Sequence, residues 1–227
     1  MSIHRLLDAP KNHLKAFAFG GLVVAQAVAG TTLAAHAASA DDTGRNLAAA
    51  EAPNTVKAPE TVRQVSAEQL LKLAERQVGI SENSAGGGTK FHSWYMSSPR
   101  AKETVARDSG SIAGYANAAW CDMFVSWVGS QLGMQDTVGI DAYTVAHAKW
   151  FASQDRWGST PKPGAVVFFD WGRSKNLDNI DHVGFVIKDN GDGTIKTVEG
   201  NTGNGKVEIR TRPASQVVGY GYPSYAA

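Results

Sequence analysis

Ala119-Trp120-Cys121-Asp122-Met123-Phe124-Val125-Ser126-Trp127 is built on the only cysteine in the chain. Apolar residues recur at Trp120, Phe124, Trp127, Val128 and Leu132, close to helical spacing, and Gly133 supplies a stop. Upstream, Ser109-Gly110-Ser111 and Gly114 read as loop. Cys121 is therefore expected in the first turn of an amphipathic helix, where unpaired N–H groups and the helix dipole favour a thiolate. A solitary cysteine cannot close an intrachain disulfide. It is buried apolar filler, an intermolecular link or a nucleophile, and the rest of the chain has to decide.

On the N-terminal side, Ser66-Ala67-Glu68-Gln69 is a capping box, followed by Leu70, Leu71, Leu73, Ala74, Gln77 and Val78 in a helix expected to end near Gly79. Glu82 to Thr89 is a glycine-rich loop; without the Lys-Ser/Thr that completes a phosphate loop, it carries no phosphate-binding signal. Phe91, Trp94, Tyr95 and Met96 form an aromatic cluster suited to a core. A further helix spans roughly Tyr143 to Ala152, and its His147 reads as a surface or core residue rather than a catalyst. After Trp157 the pattern turns extended. Ala165 to Trp171, His182 to Lys188, Thr194 to Glu199, Lys206 to Arg212 and Val217 to Tyr222 read as strands, with Asn190-Gly191-Asp192-Gly193 as a hairpin turn. Helices first and a meander of strands second predict an α+β fold, with N-terminal helices packed on an antiparallel sheet of about five strands.

Residues 1–37 read as an export leader. Arg5, Lys11 and Lys15 precede a charge-free apolar run from Ala16 to Ala35, and Ala35-His36-Ala37 offers a small-x-small cleavage site. An uncleaved anchor is the alternative. Residues 38–65, rich in Ala, Pro and Thr, read as a flexible linker, and residues 66–227 as the folded domain. Hydrophobic residues make up 43% and charged residues 19% of the chain, enough apolar content for a core. The formal net charge is +1, and loss of a leader holding Arg5, Lys11, Lys15 and Asp8 would bring it to −1. With no Lys/Arg run, neither balance suggests nucleic-acid binding.

A thiol nucleophile needs a base, and the base needs a group that orients it. His182 opens a strand after the polar loop Leu177-Asp178-Asn179-Ile180-Asp181, where its side chain can face a cleft. The hairpin at Asn190–Gly193 folds the next strand back along it and brings Val198-Glu199-Gly200-Asn201 near the histidine. Alternation places Glu199 and Asn201 on one face, so either can orient the ring. Asp189 to Gly193 lacks the alternating acidic residues and closing glutamate of a calcium loop, and no zinc spacing occurs, so no metal site is expected.

Four blocks occur in one order: Trp120-Cys121-Asp122-Met123-Phe124-Val125, Lys162-Pro163-Gly164-Ala165-Val166-Val167-Phe168-Phe169, Asp181-His182-Val183-Gly184-Phe185-Val186 and Val198-Glu199-Gly200-Asn201-Thr202. Over roughly Ser66 to Tyr222 the chain thereby resembles the CHAP family, the cysteine, histidine-dependent amidohydrolases/peptidases. The resemblance implies a papain-like fold (NlpC/P60-like) and cleavage of amide bonds in bacterial cell-wall peptidoglycan. It gives Cys121 the nucleophile role, His182 the base, Glu199 the third catalytic position and Asn201 an accessory one. Trp120, Trp171 and Tyr115 are candidates for the cleft lining. Tyr115 and Asn117 are the nearby polar candidates for a side-chain oxyanion donor, beside the backbone N–H of Cys121. Some relatives bind calcium through an Asp-x-Asp loop, which Glu82 to Thr89 does not reproduce. The expectation is a secreted monomer, without cofactor and free of the membrane once the leader is cleaved, acting on peptidoglycan as amidase or endopeptidase. A secreted, non-catalytic wall-binding or scaffold module using the same cleft is the alternative.

Overall fold

Ser66 and Gln69 exchange the two hydrogen bonds of the expected capping box, Gln69 N–H to Ser66 Oγ at 3.2 Å and Ser66 N–H to Gln69 Oε1 at 2.9 Å. They open α1 (Ala67–Glu75), which buries Leu70, Leu71 and Ala74 and stops four residues short of Gly79. The structure, a computed structural model, describes residues 65–226. The leader expected at residues 1–37 and nearly all of the linker lie outside the described residues. Among the described residues, no helix is long and apolar enough to cross a membrane.

Two helices follow that the hydrophobic pattern did not announce. The aromatic cluster lies on α2 (Lys90–Ser97), capped by Thr89, and α3 (Pro99–Asp108) starts with Ser98 as its cap and Pro99 in its first turn. A 3-10 turn at Ile112–Asn117 leads into α4 (Cys121–Gln131). The short α5 (Gln135–Val138) and then α6 (Thr144–Ser153) complete the helical half. Helix α4 is the centre of the packing. Eight of its residues, from Cys121 to Ser126 with Val128 and Gly129, are buried, so it is covered on nearly every side. Phe124 meets Phe91 edge-on at 5.4 Å and Phe185 at 6.3 Å, which ties α2 and the sheet to the same helix. Full burial of such a side chain stabilises by roughly 1.5–3 kcal/mol.

The sheet contains the five expected strands, β2 (Val166–Phe169), β3 (His182–Asp189), β4 (Thr194–Thr202), β5 (Lys206–Pro213) and β6 (Val217–Gly221), plus a two-residue edge strand, β1 (Trp157–Gly158). All neighbours are antiparallel, in the order β1-β6-β2-β3-β4-β5. Alternation divides the residues between two faces. Val166, Phe168, Val183, Phe185 and Val198 join the helices in the main core, whereas Val167, Phe169, Val186 and Ile195 form a smaller cluster on the opposite face. At the β3–β4 hairpin, Asp189 and Asp192 accept from the N–H groups of Gly191 and Thr194, so these carboxylates brace a turn. The fold is α+β, as expected.

Candidate active site

Cys121 is the first residue of α4 and is 5% exposed. Trp120 occupies the cap position without a side-chain cap, which leaves the first-turn N–H groups of the helix open beside the thiol. Strand β4 approaches this end of α4 closely at Gly200, where a Cβ would stand 2.6 Å from Phe124 Cβ and 2.9 Å from Trp120 Cζ3. A glycine is required there by contact alone.

His182, the first residue of β3, faces Glu199 of β4 with 2.9 Å between Nε2 and Oε2. Gly184, two residues along β3 from His182, packs against this side chain: a Cβ there would lie 2.7 Å from Glu199 Cγ and 2.9 Å from Val198 O, so a larger residue would displace β4 and its carboxylate. Glu199 is fully buried and accepts four hydrogen bonds. Thr197 Oγ1 donates to Oε1 at 2.6 Å, Arg212 Nε to Oε1 at 3.0 Å, and Arg212 Nη2 to Oε2 at 2.6 Å, beside the His182 bond. Both oxygens are therefore saturated. An ionised carboxylate can only accept, so Nε2 of His182 carries a proton and Nδ1 is left for another partner. Cys121 lies near the same ring, close enough to act on its proton affinity. Trp171 stacks on the imidazole at 5.5 Å and Phe169 at 6.0 Å.

Burial alone would depress the imidazole's affinity for its proton, but Cys121 beside the ring, and the hydrogen bond and charge of Glu199, raise the His182 pKa to about 9. Burial likewise opposes a charge on Glu199. The hydrogen bonds and charges of His182 and Arg212 outweigh it and hold the carboxyl well below the usual carboxylate range. The arrangement can store a proton on a histidine at neutral pH beside a thiol that opens a helix, which is the equipment of cysteine-based acyl transfer.

Several expected residues stand elsewhere. The strand's regular alternation is interrupted before Asn201. A register irregularity falls between Glu199 and Thr202, Asn201 takes a left-handed backbone (φ +52°), and among the described residues no hydrogen bond links it to the ring. Asparagine tolerates that conformation better than most residues, so it shapes the bulge. Trp120 is fully buried, stacked on Phe91 at 5.3 Å with Nε1 donating to Glu82 Oε2 at 2.9 Å, and so underlies the thiol rather than lining a cleft. The Tyr115 hydroxyl shares a 2.8 Å hydrogen bond with Thr104 Oγ1, which turns it toward α3. Asn117 is exposed and borders the Glu82–Thr89 loop at Gly87. Trp171 stands against the imidazole.

Thr197 and Arg212 were not read from the sequence. The register sets Glu199 opposite Glu208, Thr197 opposite Arg210 and Ile195 opposite Arg212, so Arg212 runs along the sheet face to reach Glu199. Straight cross-strand pairing would have pointed to the wrong partner. The available signal was alternation: Thr197 with Glu199, and Glu208 with Arg210 and Arg212, fall on one face. Among the described residues no group of three His, Cys, Asp or Glu side chains is placed to hold a metal ion. A hollow lined by Glu68, Leu71, Lys72, Glu75 and Pro163 lies along α1 and shares no residue with this cluster.

Residues 112–201 match the family model described as CHAP domain, a segment that includes Cys121, His182, Glu199 and Asn201. No curated protein and no solved structure matches the chain. CHAP domains are generally hydrolases of the amidase or peptidase type. With a thiol at the head of a central helix, a histidine at the head of an antiparallel strand and the family match spanning both, the chain carries a CHAP domain, of papain-like fold, over residues 112–201.

Proposed function

We propose that this domain hydrolyses an amide bond of bacterial peptidoglycan through a thioester on Cys121. The observation that carries the reading is the shared imidazole: Glu199 takes Nε2 of His182 at 2.9 Å, and Cys121, at the start of α4, stands near enough to the same ring to raise its pKa. The thiol proton passes to His182, and the sulfur attacks the amide carbonyl carbon. The imidazolium then protonates the amine as the C–N bond breaks, and the neutral ring next takes a proton from the water that opens the thioester. Glu199 holds the ring's orientation and offsets its charge. The backbone N–H of Cys121 is the first oxyanion donor, being an uncapped helix-opening group, and exposed Asn117 is the remaining side-chain candidate. The leader at residues 1–37 supports action on the wall from outside the cytoplasmic membrane.

The test is mass spectrometry of fragments released from purified wall by the wild-type chain and by Cys121→Ala. New amine termini at one bond type, absent with the variant, are expected and identify the scissile amide. Wall that binds wild-type protein without releasing fragments would replace this reading with a binding module.

A further inference from the structure

Arg212 lies on β5, outside the segment that the family model matches, yet it touches the site at three places. Nε and Nη2 grip the two Glu199 oxygens, Nη2 also reaches Thr202 Oγ1 at 2.8 Å, and the guanidinium carbon sits 4.9 Å from the Trp171 ring centroid. Trp171 in turn stacks on His182, and its backbone N–H is held by Asp181 Oδ2 at 2.8 Å. The contacts close a ring, His182 to Glu199 to Arg212 to Trp171 and back to His182. We propose that Arg212 is a positioning residue for the Cys121–His182–Glu199 group: its two N–H donors aim the Glu199 carboxylate at Nε2, and its flat face pins Trp171 over the imidazole. The inference rests on the amidohydrolase reading.

Two of the four hydrogen bonds to Glu199 come from this one side chain, and its planar fork matches both carboxylate oxygens. Without it, a fully buried carboxylate keeps only Thr197 and His182. Burial then pushes Glu199 toward its protonated form, which cannot stabilise an imidazolium. The other ionisable groups around the pair are Cys121 on α4, Asp181 before β3, and Glu208 with Arg210 on β5; these last two are bonded to each other at 3.0 Å. None of them replaces the lost fork. A lysine keeps the charge but not the two-pronged geometry.

Since the chain has one cysteine, iodoacetamide labelling reports on Cys121 alone. Labelling rate across pH is measured for wild type, Arg212→Met, Arg212→Lys and Arg210→Gln, alongside wall-clearing turnover and circular dichroism. For Arg212→Met, the acid limb of labelling should move up by about one pH unit or more, tenfold in the underlying equilibrium, and turnover should fall about tenfold or more. Arg212→Lys should recover part of both, and Arg210→Gln should match wild type. A folded Arg212→Met whose labelling profile overlays wild type overturns the proposal. If Arg212→Met does not fold, Arg212→Lys carries the test, and wild-type turnover with an unmoved profile overturns it. Labelling needs no substrate, so a wild-type chain that clears no wall would sink the amidohydrolase reading while leaving the Arg212 measurement readable.

Discussion

Replacing Glu199 by glutamine keeps the size of the side chain and removes its charge. In the fully buried site, Oε1 faces Thr197 and Arg212 while Oε2 faces His182 and Arg212, so every neighbour that the structure gives it is a donor. An amide has one oxygen to offer and must turn its NH2 toward other donors. Hydrogen bonds to a charged group contribute about 1.5–3 kcal/mol each. Losing one such term from the imidazolium state slows turnover roughly 10- to 150-fold, at about 1.4 kcal/mol per factor of ten. The pH profile should move as well. His182 stays protonated up to about pH 9 partly because of Glu199, while its burial works in the other direction. In Glu199→Gln only burial and the Cys121 contact remain, so the alkaline limb of wall clearing shifts to lower pH.

Stability follows the same pair. Breaking a buried ion pair by removing one partner costs ~3–5 kcal/mol. At about 2–4 °C per kcal/mol for a domain of this size, Glu199→Gln should melt roughly 6–12 °C lower, the low end of that cost applying because the amide oxygen still accepts. The sign with pH is fixed by the two shifts. The contribution of His182, raised from 6.5, is complete below that value and fades as pH rises through about 9. The contribution of Glu199, depressed from 4.5, is complete above that value and is lost as pH falls through its lower folded value. The melting difference between wild type and Glu199→Gln is therefore largest between pH 5 and 6 (on the order of the ordinary values of the two groups) and shrinks above pH 9. Near-wild-type turnover with an unmoved alkaline limb would refute the role given to Glu199.

Cys121→Ala and Cys121→Ser should fold, since no disulfide is broken, and lose wall-clearing activity; a fully active Cys121→Ala enzyme would end the nucleophile assignment. Activity should survive EDTA with at most a modest loss, and full loss restored by one particular metal would show a ligand set that the described residues do not display. Asn201→Ala should lower turnover only a few-fold and cost about 1 kcal/mol through its left-handed backbone, with Asn201→Gly recovering that stability in a urea titration. Glu208→Gln, exchanging a half-exposed partner of Arg210, should leave the wall-clearing rate near wild type. His147→Ala should lower unfolding free energy by ~3–5 kcal/mol in urea, because it strands the buried Asp122 carboxylate.

Where one face of an element is apolar and the other is not, the sequence was legible. The capping box at Ser66, the helix opening at Cys121 and all five longer strands were placed from periodicity and turns. Helix α3 was not, because Arg100, Lys102, Glu103, Arg107 and Asp108 crowd it and only Ala101 and Thr104 are buried, so no apolar stripe marks it. Helix α2 was seen as an aromatic cluster without its helical frame, since eight residues span barely two turns. Strand β1, two residues long, has no period to detect. At the site, alternation brought Glu199 to His182, and a bulge interrupts the count before it reaches Asn201. Arg212 escaped because its reach along the sheet, not its register partner, decides whom it meets.

The domain holds two buried histidine–carboxylate pairs, and the difference between them shows what a catalytic pair requires. His147 on α6 meets Asp122, the residue after the thiol, with 2.6 Å between Nδ1 and Oδ1, and its Nε2 stands 2.6 Å from Val138 O. A carbonyl oxygen can only accept, so Nε2 donates there. Burial lowers His147's affinity for its proton, but the charge and hydrogen bond of Asp122 more than compensate, leaving its pKa raised. Yet both ring nitrogens are committed, the ring is 1% exposed, and the rings of Trp150, Phe151 and Phe168 surround it. Such a pair ties α4, α6 and the Val138 segment together. His182 has the same acidic support, but Glu199 occupies only Nε2 and Cys121 meets the same ring. A proton can leave the second ring and return only because one nitrogen is not spent on the fold. An elevated pKa in a buried site does not distinguish the two histidines; the bonding of the second nitrogen does.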